Sequence, residues 1–510
     1  MKRLTRRKLF QFGLAVGGSL LLPLSYQYRT YAKDAGSPKV IPFSLPFKIP
    51  PVLRPVRSDS TTDYYEITMR RASVDILPGR KTEIWSYNGM SPGPTIRQRK
   101  VWYPETQQFR RSVVRFINSV GVPTTVHLHG MASLPQYDGY AEDMSAPGFY
   151  KDYIYPNNRA ATLWYHDHAL HNTARNVYMG LAGMYIVEDD EELNLPLPKG
   201  QYDVPLMLAD KIFARDGRQV FDDQGEKHVM GDVITINGVP WPRMEVANRK
   251  YRFRLLNASI SRSYLLKLST ADDFIFIGTD AGLMSQPARV KEFRIGPAER
   301  YEFILDFSRY PIGTQVILQN GKLPNNDEFD NTDKVMLFEV TRSETDNSSI
   351  PNVLRNNIPP VSEMMSQAVR TRDFRYERSN GLWVINGKTW DKNRVDANPA
   401  PGDVEIWRIY NNAGGWHHPI HVHLVDAQII DRNSQQPFAY ERGWKDVFYV
   451  GENESVQIVG KFSSTTGGKY MSHCHNTVHE DHDMMNQFEV GIGGPSPFSD
   501  PPKPLPAPPL

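Results

Sequence analysis

Most histidines of this 510-residue chain stand in four short motifs. The motifs are His127-Leu-His129, His166-Asp-His168, His418-Pro-Ile-His421-Val-His423, and His473-Cys474-His475 followed by His479. In a strand, residues i and i+2 point to the same face, whereas residues i and i+1 do not. Each His-X-His pair therefore presents two imidazoles to one site. A transition-metal ion usually takes about four ligands, so the eight imidazoles of the four pairs predict a cluster of several metals.

A second ligand set remains when those pairs are set aside. On a strand, the side chain of Cys474 must point away from those of His473 and His475. The other candidates for this set are His418, His479 and Met484. Two histidines and one cysteine with a weak axial methionine form a blue-copper electron-transfer site, and the sulfur ligands favour copper over harder ions. The strand would thus offer Cys474 to one site and its two neighbours to the other, which joins the sites by a short electron path.

Simpler interpretations account for these histidines less well than metal sites do. A lone His-X-His pair is often a surface or core pair without a metal, but four such motifs together are not. A histidine-rich zinc store would need neither a cysteine between two histidines nor Met484 at a set distance from it. Four histidines lie outside the pattern and are interpreted as ordinary polar residues or as partners of the ligands: His171, His228, His417 and His482.

The elements that must position these residues repeat along the chain. An Asn-Gly turn between strand-forming residues recurs at equal intervals of 149 residues, at Asn88-Gly89, Asn237-Gly238 and Asn386-Gly387. Each turn is followed by an apolar strand that carries Arg and ends in Asn, at 115–118, 254–257 and 408–411. Each unit closes on an apolar or alternating strand, at 181–187, 335–340 and 488–490. Thirteen of the 14 histidines lie in the first and third units.

This repetition predicts an all-β chain of three domains. Dense short strands, 39 Pro, 36 Gly and few long helical periodicities favour antiparallel β-sandwiches. We expect domains at 37–190, 200–345 and 370–492, joined by polar linkers such as 342–357. The Pro-rich tail at 493–510 is expected to be extended and poorly ordered.

The N-terminus has the pattern of an export signal. Basic residues between Lys2 and Lys8 precede a small and apolar run at 12–24, and the segment from Thr5 to Phe10 resembles a twin-arginine signal. The run is too short and too rich in glycine to favour a spanning helix. We therefore predict cleavage near Ala32, at the end of a signal at 1–32, and a periplasmic or secreted protein with no membrane anchor in its mature form. The alternative is a retained N-terminal anchor.

Charge and composition restrict the classes of molecule that the protein is expected to bind. The net charge is +2, and no basic block follows the N-terminus, which disfavours nucleic acid. Six of the 59 basic residues lie in 1–32, so the remaining 53 against 57 acidic residues predict a mature charge of −4. The single cysteine rules out an internal disulfide framework. We expect a monomer, because no association motif is evident.

The motifs HLHG, WYHDH, HPIHVH and HCHNTVHEDHDMM, in this order, resemble those of the multicopper oxidases. The resemblance covers essentially the whole mature chain. It implies three cupredoxin-like Greek-key β-sandwich domains, with copper ligands only in the first and third. The second unit agrees, because the run from Leu265 to Leu268 stands where its siblings carry histidines. The last motif and Trp416, two residues before His418, look most like bilirubin oxidases and bacterial spore-coat-type laccases. Trp416 would modulate access to His418 or its electronics; the alternative is an aromatic packing residue.

The resemblance also implies four copper ions and a role for each ligand. Type 1 copper would be held by His418, Cys474 and His479, with Met484 in the axial position. Type 2 copper would be held by His127 and His421, and the type 3 pair by His129, His166, His168, His423, His473 and His475. Asp138 and Glu480 match acidic residues that assist proton delivery in such enzymes. The alternative for both carboxylates is a solvated loop charge.

Three functions compete at this point. The leading one is a laccase or bilirubin oxidase that takes single electrons from phenols, aromatic amines or tetrapyrroles and reduces O2 to water. The second is a metal oxidase acting on Cu(I), Fe(II) or Mn(II). Only Met364-Met365 resembles the Met-rich insert of cuprous oxidases, and Fe(II) or Mn(II) would need carboxylates near the type 1 site. The third is a copper-sequestering protein without catalysis, which would not need the complete set of ligands.

Overall fold

The computed structural model describes residues 36–463 and 465–510. The predicted signal peptide at 1–32 therefore lies outside the described residues. Within the described ranges the chain consists mainly of β-strands, with four short α-helices and four 3-10 turns, which confirms the all-β prediction. None of the described helices is long and apolar enough to cross a membrane. Residues Ser37–Leu510 form one compact unit that contains three consecutive pairs of β-sheets.

The first domain contains eleven strands that are consecutive in sequence. They are β1 (Arg57–Ser58), β2 (Thr62–Val74), β3 (Thr82–Tyr87), β4 (Gly93–Arg99), β5 (Trp102–Tyr103), β6 (Gln108–Phe109), β7 (Arg111–Ser119), β8 (Val126–His129), β9 (Phe149–Tyr155), β10 (Ala161–Asp167) and β11 (Ala182–Glu188). One sheet has the order β1-β2-β7-β9 with β3 beside β2, the other has the order β4-β11-β10-β8, and β5 pairs with β6. Helices Thr173–Met179 and Asp190–Asn194 and the 3-10 turn Pro135–Tyr137 connect them. Ile67 and Phe116 from one sheet share a core with Leu163 and Tyr185 from the other.

The second domain repeats this arrangement after the 3-10 turn Gly200–Tyr202. Its strands are β12 (Asp203–Lys211), β13 (Val233–Ile236), β14 (Val239–Pro240), β15 (Arg243–Ala247), β16 (Lys250–Asn257), β17 (Tyr264–Leu268), β18 (Phe274–Thr279), β19 (Gly282–Val290), β20 (Glu292–Ile295), β21 (Arg300–Asp306), β22 (Gln315–Gly321) and β23 (Lys334–Arg342), with the 3-10 turn Phe307–Arg309. The sheet orders are β14-β13-β12-β16-β21-β18-β19 and β15-β23-β22-β17-β20. Leu266 and Leu268 of β17 enter the apolar core of this domain.

The third domain follows the helix Val361–Ser366. Its strands are β24 (Ala368–Ser379), β25 (Leu382–Ile385), β26 (Val404–Asn411), β27 (His418–Val422), β28 (Ala427–Arg432), β29 (Val447–Val450), β30 (Ser455–Lys461), β31 (Gly468–Cys474) and β32 (Met485–Val490), with the 3-10 turn Ala439–Glu441 and the helix Thr477–Asp481. The sheet orders are β25-β24-β26-β30-β28 and β29-β27-β31-β32. Ile409 and Ile458 of one sheet share a core with Ile420 and Tyr470 of the other.

The repeated Asn-Gly pairs are tight turns in all three domains. Both residues of each pair have positive φ, as a type I′ hairpin turn requires: 55° and 84° at Asn88-Gly89, 51° and 78° at Asn237-Gly238, and 51° and 74° at Asn386-Gly387. Each asparagine side-chain oxygen accepts a backbone N–H from the adjacent long strand, at 2.7–2.8 Å, from Thr68, Met207 and Arg375. The turn and the side-chain bond together explain why this pair recurs.

The strand that follows each Asn-Gly turn ends in an asparagine. The side chain of that asparagine hydrogen-bonds to the loop that leads to the next sheet. The Asn118 amide donates to the carbonyls of Val122 and Ser145, and the Asn411 amide donates to those of Trp416 and Val450. These loops precede β8 and β27, the strands that carry His127 and His421. Asn257 makes the equivalent bonds in the second domain, ahead of the histidine-free β17.

The tail is extended, as predicted, but it packs on the first domain and is not loose. Its short strand β33 (Lys503–Pro504) pairs with β9. Phe498 meets Tyr140 edge to face, with ring centroids 5.4 Å apart, and the guanidinium of Arg115 donates to the carbonyl of Pro508. The expectation of a poorly ordered tail is therefore wrong, because apolar side chains and a free sheet edge hold the proline-rich segment in place.

Candidate metal centres

The single cysteine lies in a buried group of three ligand atoms. Cys474 ends β31 and is the register partner of Ile420 on β27, the strand that begins at His418. Its Sγ lies 3.2 Å from Nδ1 of His418 and 3.7 Å from Nδ1 of His479, and the two Nδ1 atoms are 3.2 Å apart. The structure thus brings together three of the four residues predicted for the second ligand set.

Met484 belongs to the same segment of the fold. Its carbonyl oxygen accepts the N–H of Cys474 at 3.1 Å, and its own N–H donates to the carbonyl of His479 at 3.0 Å. The methionine side chain is fully buried and belongs to the core that also contains Cys474. The chain between His479 and Met484 therefore folds back onto the cysteine.

The other predicted ligands gather where the first and third domains meet. His127 of β8 is the register partner of His166 of β10, and His421 of β27 is the register partner of His473 of β31. Partners on adjacent antiparallel strands project from the same face. The resulting group of eight buried imidazoles contains His127, His129, His166, His168, His421, His423, His473 and His475.

Ring nitrogens from the two domains approach one another at the spacing of metal ligands. Nε2 of His127 is 3.3 Å from Nε2 of His421, and Nε2 of His473 is 3.2 Å from Nε2 of His168 and 3.1 Å from that of His423. A metal–nitrogen bond is about 2 Å long, so two nitrogens on one ion at a tetrahedral angle are about 3.3 Å apart.

Backbone carbonyls orient several of these rings from behind. Nδ1 of His127 donates to the carbonyl of Asp138, Nδ1 of His421 to that of Asp446 at 2.8 Å, and Nδ1 of His166 to that of Asp167 at 2.8 Å. A proton on Nδ1 leaves the lone pair on Nε2, which is the form in which a neutral imidazole binds a metal.

The two predicted carboxylates both contact the histidine cluster. Oδ2 of Asp138 accepts from Nδ1 of His423 at 2.8 Å. Oε2 of Glu480, on the helix Thr477–Asp481, lies 3.0 Å from Nδ1 of His473, and its Oε1 lies 3.6 Å from Nε2 of His168. Both side chains are only 3% exposed, so neither is the solvated loop charge of the alternative interpretation.

The two carboxylates are equally buried, and their neighbours set their pKa values apart. Burial raises the pKa of Asp138 well above its usual range, against the charge of Arg159, which acts to lower it. Burial also acts to raise the pKa of Glu480, but the charges of His473 and His168 and a hydrogen bond from His473 outweigh it and hold the pKa at about 2. One carboxyl is thus disposed to keep a proton and the other to remain ionised.

Sequence reasoning missed a third carboxylate and a tryptophan. Oδ1 of Asp446 lies 3.0 Å from Nε2 of His129, so it joins the group of potential metal ligands. The ring of Trp383 stacks on His479 with centroids 3.7 Å apart. Neither residue stands in a repeated motif, and each lies tens to hundreds of positions from the histidine that it contacts, so spacing held no signal for them.

At neutral pH the histidines are in the protonation state that binds a metal, whereas the cysteine is not. Burial lowers the pKa of His168 to about 4 and that of His418 to about 3. Burial raises the pKa of the Cys474 thiol well above its usual range, opposed by a hydrogen bond from the N–H of Asn476. Metals bind neutral imidazole and thiolate. The rings are therefore ready at neutral pH, whereas the cysteine must release a proton as the metal binds.

These residues fit bound copper ions. Nε2 of His166 and Nε2 of His475 are buried and lack a hydrogen-bond partner within the described ranges, although buried polar atoms are normally paired. Their rings are 5.2 Å apart, and both lie within 5.8 Å of His129. Imidazole, thiolate and thioether together are a donor set that suits copper.

The four histidines outside the motifs stay outside both groups. His417 stacks on Tyr449 and His228 bonds to Asp327, while His171 and His482 contact backbone carbonyls. Trp416 is half-buried and meets the ring of His479 edge to face, with centroids 5.7 Å apart.

Known proteins share this sequence and this architecture. Three family models of multicopper oxidases match residues 68–192, 205–343 and 356–494. The bilirubin oxidase of Albifimbria verrucaria is 40% identical over 486 residues, which cover 89% of this chain and 82% of that protein. The laccase of Bacillus subtilis is 34% identical over 512 residues, which cover 87% of this chain and 97% of that protein.

Solved structures agree with these matches. The multicopper oxidase of Pediococcus acidilactici superposes with a TM-score of 0.80 at 29% identity, covering 90% of this chain and 94% of that one. McoA of Aquifex aeolicus superposes with a TM-score of 0.79 at 30% identity, covering 89% and 100%. These likenesses confirm the predicted family and its three cupredoxin-like domains. The chain belongs to the multicopper oxidases, and it is a copper-dependent oxidoreductase that passes electrons from a reductant to O2.

Proposed function

We propose that this enzyme holds four copper ions and oxidises phenols, aromatic amines or tetrapyrroles while it reduces O2 to water. The observation that carries the proposal is the division of three consecutive residues between two sites. Cys474 faces His418 and His479, whereas His473 and His475 belong to the histidine cluster. A donor oxidised at the cysteine site would thereby deliver electrons through one strand to the cluster.

The copper assignment follows the ligand groups. The type 1 ion would be held by His418, Cys474, His479 and Met484. The type 2 ion would be held by His127 and His421, and the type 3 pair by His129, His166, His168, His423, His473 and His475. Bound copper supplies one-electron storage, which lets a one-electron donor serve a four-electron reduction.

Residues of the protein must deliver the protons that O2 reduction consumes. Reduction of one O2 consumes four protons, and acidic groups beside the cluster can relay them through water. The contacts of Glu480 with His473 and of Asp138 with His423 support this role. The same hydrogen bonds orient the imidazoles, which is the usual second task of such carboxylates.

Aromatic residues beside the cysteine site support an organic donor. The stacked ring of Trp383 and the edge of Trp416 form a wall along His479. Aromatic rings favour stacked and edge-to-face contacts with other aromatic molecules. The names of two of the relatives described above, bilirubin oxidase and laccase, support the same donor class.

Oxidation of metal ions is the second candidate function, because carboxylates also lie near the cysteine site. Asp483 directly precedes Met484, and its carboxyl interacts electrostatically with Glu226. The carbonyl of Glu226 in turn accepts the indole N–H of Trp383 at 2.8 Å. The side chain of Glu226 is about half exposed, so a cation could reach it from solvent.

Export, oligomeric state and domain limits are part of the proposal. The twin-arginine-type pattern at 1–32 supports a periplasmic or secreted enzyme with no membrane anchor in its mature form. We propose a monomer with domains at 37–190, 200–345 and 370–492. Size-exclusion chromatography and N-terminal sequencing of the exported protein test these statements.

One preparation tests the function. Copper-loaded protein should contain about four coppers per chain and show an intense thiolate-to-copper band that Cys474→Ser abolishes. O2 uptake is then followed with a phenol, bilirubin and Cu(I) in parallel. Uptake driven by the organic donors supports the proposal, and uptake driven by Cu(I) alone favours the metal oxidase. A colourless zinc protein, or a blue protein that consumes no O2, would refute both.

A further inference from the structure

The second domain carries none of the proposed copper ligands, yet one of its arginines reaches the cluster through Asp446. Arg300 begins β21, and its guanidinium makes a bidentate pair with Asp446, with Nη1–Oδ1 and Nη2–Oδ2 distances of 2.6 Å each. Neither side chain is more than 1% exposed. Asp446 lies just before β29, in the third domain.

The remaining donors of Arg300 tie the pair to the first and second domains. Its Nε donates to the carbonyl of Thr162 at 3.0 Å, on the strand that also carries His166. Its Nη1 and Nη2 donate to the carbonyls of Ala298 and Asp280, at 3.1 and 2.9 Å. One guanidinium therefore contacts all three domains, and all five of its N–H bonds are directed at acceptors.

Asp280 holds the backbone around Asp446 from the same side. Its Oδ2 accepts the N–H groups of Asp446 and Val447, at 3.3 and 3.1 Å, and its Oδ1 accepts the N–H of Arg300 at 2.7 Å. The position of Asp446 is thus set by side chains of the second domain.

Asp446 in turn accepts hydrogen bonds from two proposed ligands of the cluster. Its Oδ1 accepts from Nε2 of His129 at 3.0 Å, and its carbonyl accepts from Nδ1 of His421 at 2.8 Å. The two imidazoles stack on each other with centroids 3.6 Å apart and planes inclined by 16°. A proton held on Nε2 of His129 leaves Nδ1 of that ring with the lone pair, and Nδ1 has no other partner within the described ranges.

We propose that Arg300 and Asp446 are positioning residues by which the second domain orients His129 and His421 and selects their tautomers. This inference rests on the proposed copper assignment. A buried ion pair adds little net stability compared with apolar residues of the same size. Hydrogen-bonded carboxylates behind a metal-binding histidine, in contrast, change metal affinity or activity by about 10- to 100-fold when removed. Asp446, held by Arg300, is a hydrogen-bonded carboxylate of this kind behind His129.

The test separates donor oxidation from O2 reduction in copper-loaded protein. Both oxygens of Asp446 accept N–H donors, so the NH2 group of Asn would face a donor in Asp446→Asn and the arrangement would be lost. Asp446→Asn and Arg300→Gln should slow reoxidation by O2 by about 10- to 100-fold, and should change the electron paramagnetic resonance signal of the histidine cluster. The type 1 signal, and the anaerobic bleaching of the blue band by a phenol, should stay within about twofold of wild type, since neither residue contacts Cys474. Arg300→Lys should recover part of the rate, because it keeps the charge and loses the bidentate geometry.

Arg432→Gln is the matched control. Arg432 makes an equally buried bidentate pair with Glu441, at 2.7 and 2.6 Å, without contact to the cluster. Its reoxidation rate should match wild type. The inference is overturned if Asp446→Asn and Arg300→Gln reoxidise within about twofold of wild type, or if Arg432→Gln is slowed as much. It is also overturned if the three variants at 300 and 446 fail to fold while Arg432→Gln folds. An inert wild-type protein would instead refute the proposed function.

Discussion

Glu480→Gln is the substitution that most directly tests the proton-delivery role. The carboxylate lies 3.0 Å from Nδ1 of His473 and 3.6 Å from Nε2 of His168, and its pKa is held at about 2. Glutamine has nearly the same shape, and its amide oxygen can still face Nδ1 of His473. The change therefore removes the charge and the proton-carrying capacity while it leaves the orientation of the ligand nearly intact.

The expected loss of rate is that of removing a proton carrier while its shape is kept. Loss of a positioned acid or base costs about 10²- to 10⁴-fold in rate, so turnover at saturating donor should fall by that factor. Stopped-flow absorption can record two steps separately: anaerobic bleaching of the blue band by a phenol, and its return on mixing with O2. Only the second step should slow, because the side chain of Glu480 contacts His473 and His168 of the histidine cluster and not the side chains of the cysteine site.

Asp481→Asn supplies the control at the neighbouring position. The carboxylate of Asp481 is also nearly buried, but it accepts the N–H groups of Thr173 and Ala174 at the start of a helix, at 2.9 and 3.0 Å. Its loss should cost about 1 kcal/mol of stability and leave both rates close to wild type. Unchanged reoxidation in Glu480→Gln, or equal slowing in Asp481→Asn, would refute the proton role of Glu480.

Three further predictions concern packing and electrostatics. Trp383→Ala should lower the free energy of unfolding by about 3–5 kcal/mol and alter the type 1 resonance signal through the loss of the ring stacked on His479; an unchanged signal would contradict the stacking. Arg254→Met should cost about 3–5 kcal/mol in urea unfolding, because it takes from buried Asp203 and Glu302 one of their cationic partners. Arg408→Met, at the equivalent exposed position, should cost much less, because water screens an exposed pair; equal losses would refute the role of burial. Burial lowers the pKa of His417 to about 4, so its contribution to stability is complete above pH 6.5 and is lost as the pH falls towards 4, by about 3 kcal/mol. Copper-free His417→Gln should therefore lose less stability than copper-free wild type between pH 7.5 and 4.5, and parallel losses would contradict this.

Features with a local cause were predictable from the sequence. The alternation of a strand places His473 and His475 on one face and Cys474 on the other, whatever the fold around them. An Asn-Gly pair selects a tight turn wherever both residues can take positive φ, which Asn88 and Gly89 do. Asp138 was found by resemblance of motifs alone, and the structure places it against His423.

Features that depend on contacts between distant residues were not predictable. Asp446 is separated from His129 by 317 positions and from Arg300 by 146, and no periodicity connects them. Composition alone indicated a loose tail, because proline-rich segments rarely find a partner, yet the free edge of β9 supplied one for Lys503 and Pro504.

The sequence by itself determined which ligand types are present, which of them share a strand face, and that they lie in the first and third of three similar β domains. These properties follow from residue identity and from the two-residue period of a strand, and they need no knowledge of long-range contacts. Only the tertiary structure decided that His127 and His421 meet at 3.3 Å, and that Arg300 of the second domain pairs with Asp446 beside the cluster. Such contacts arise from the packing of whole domains, where the burial of many side chains along the chain sets the position of each one.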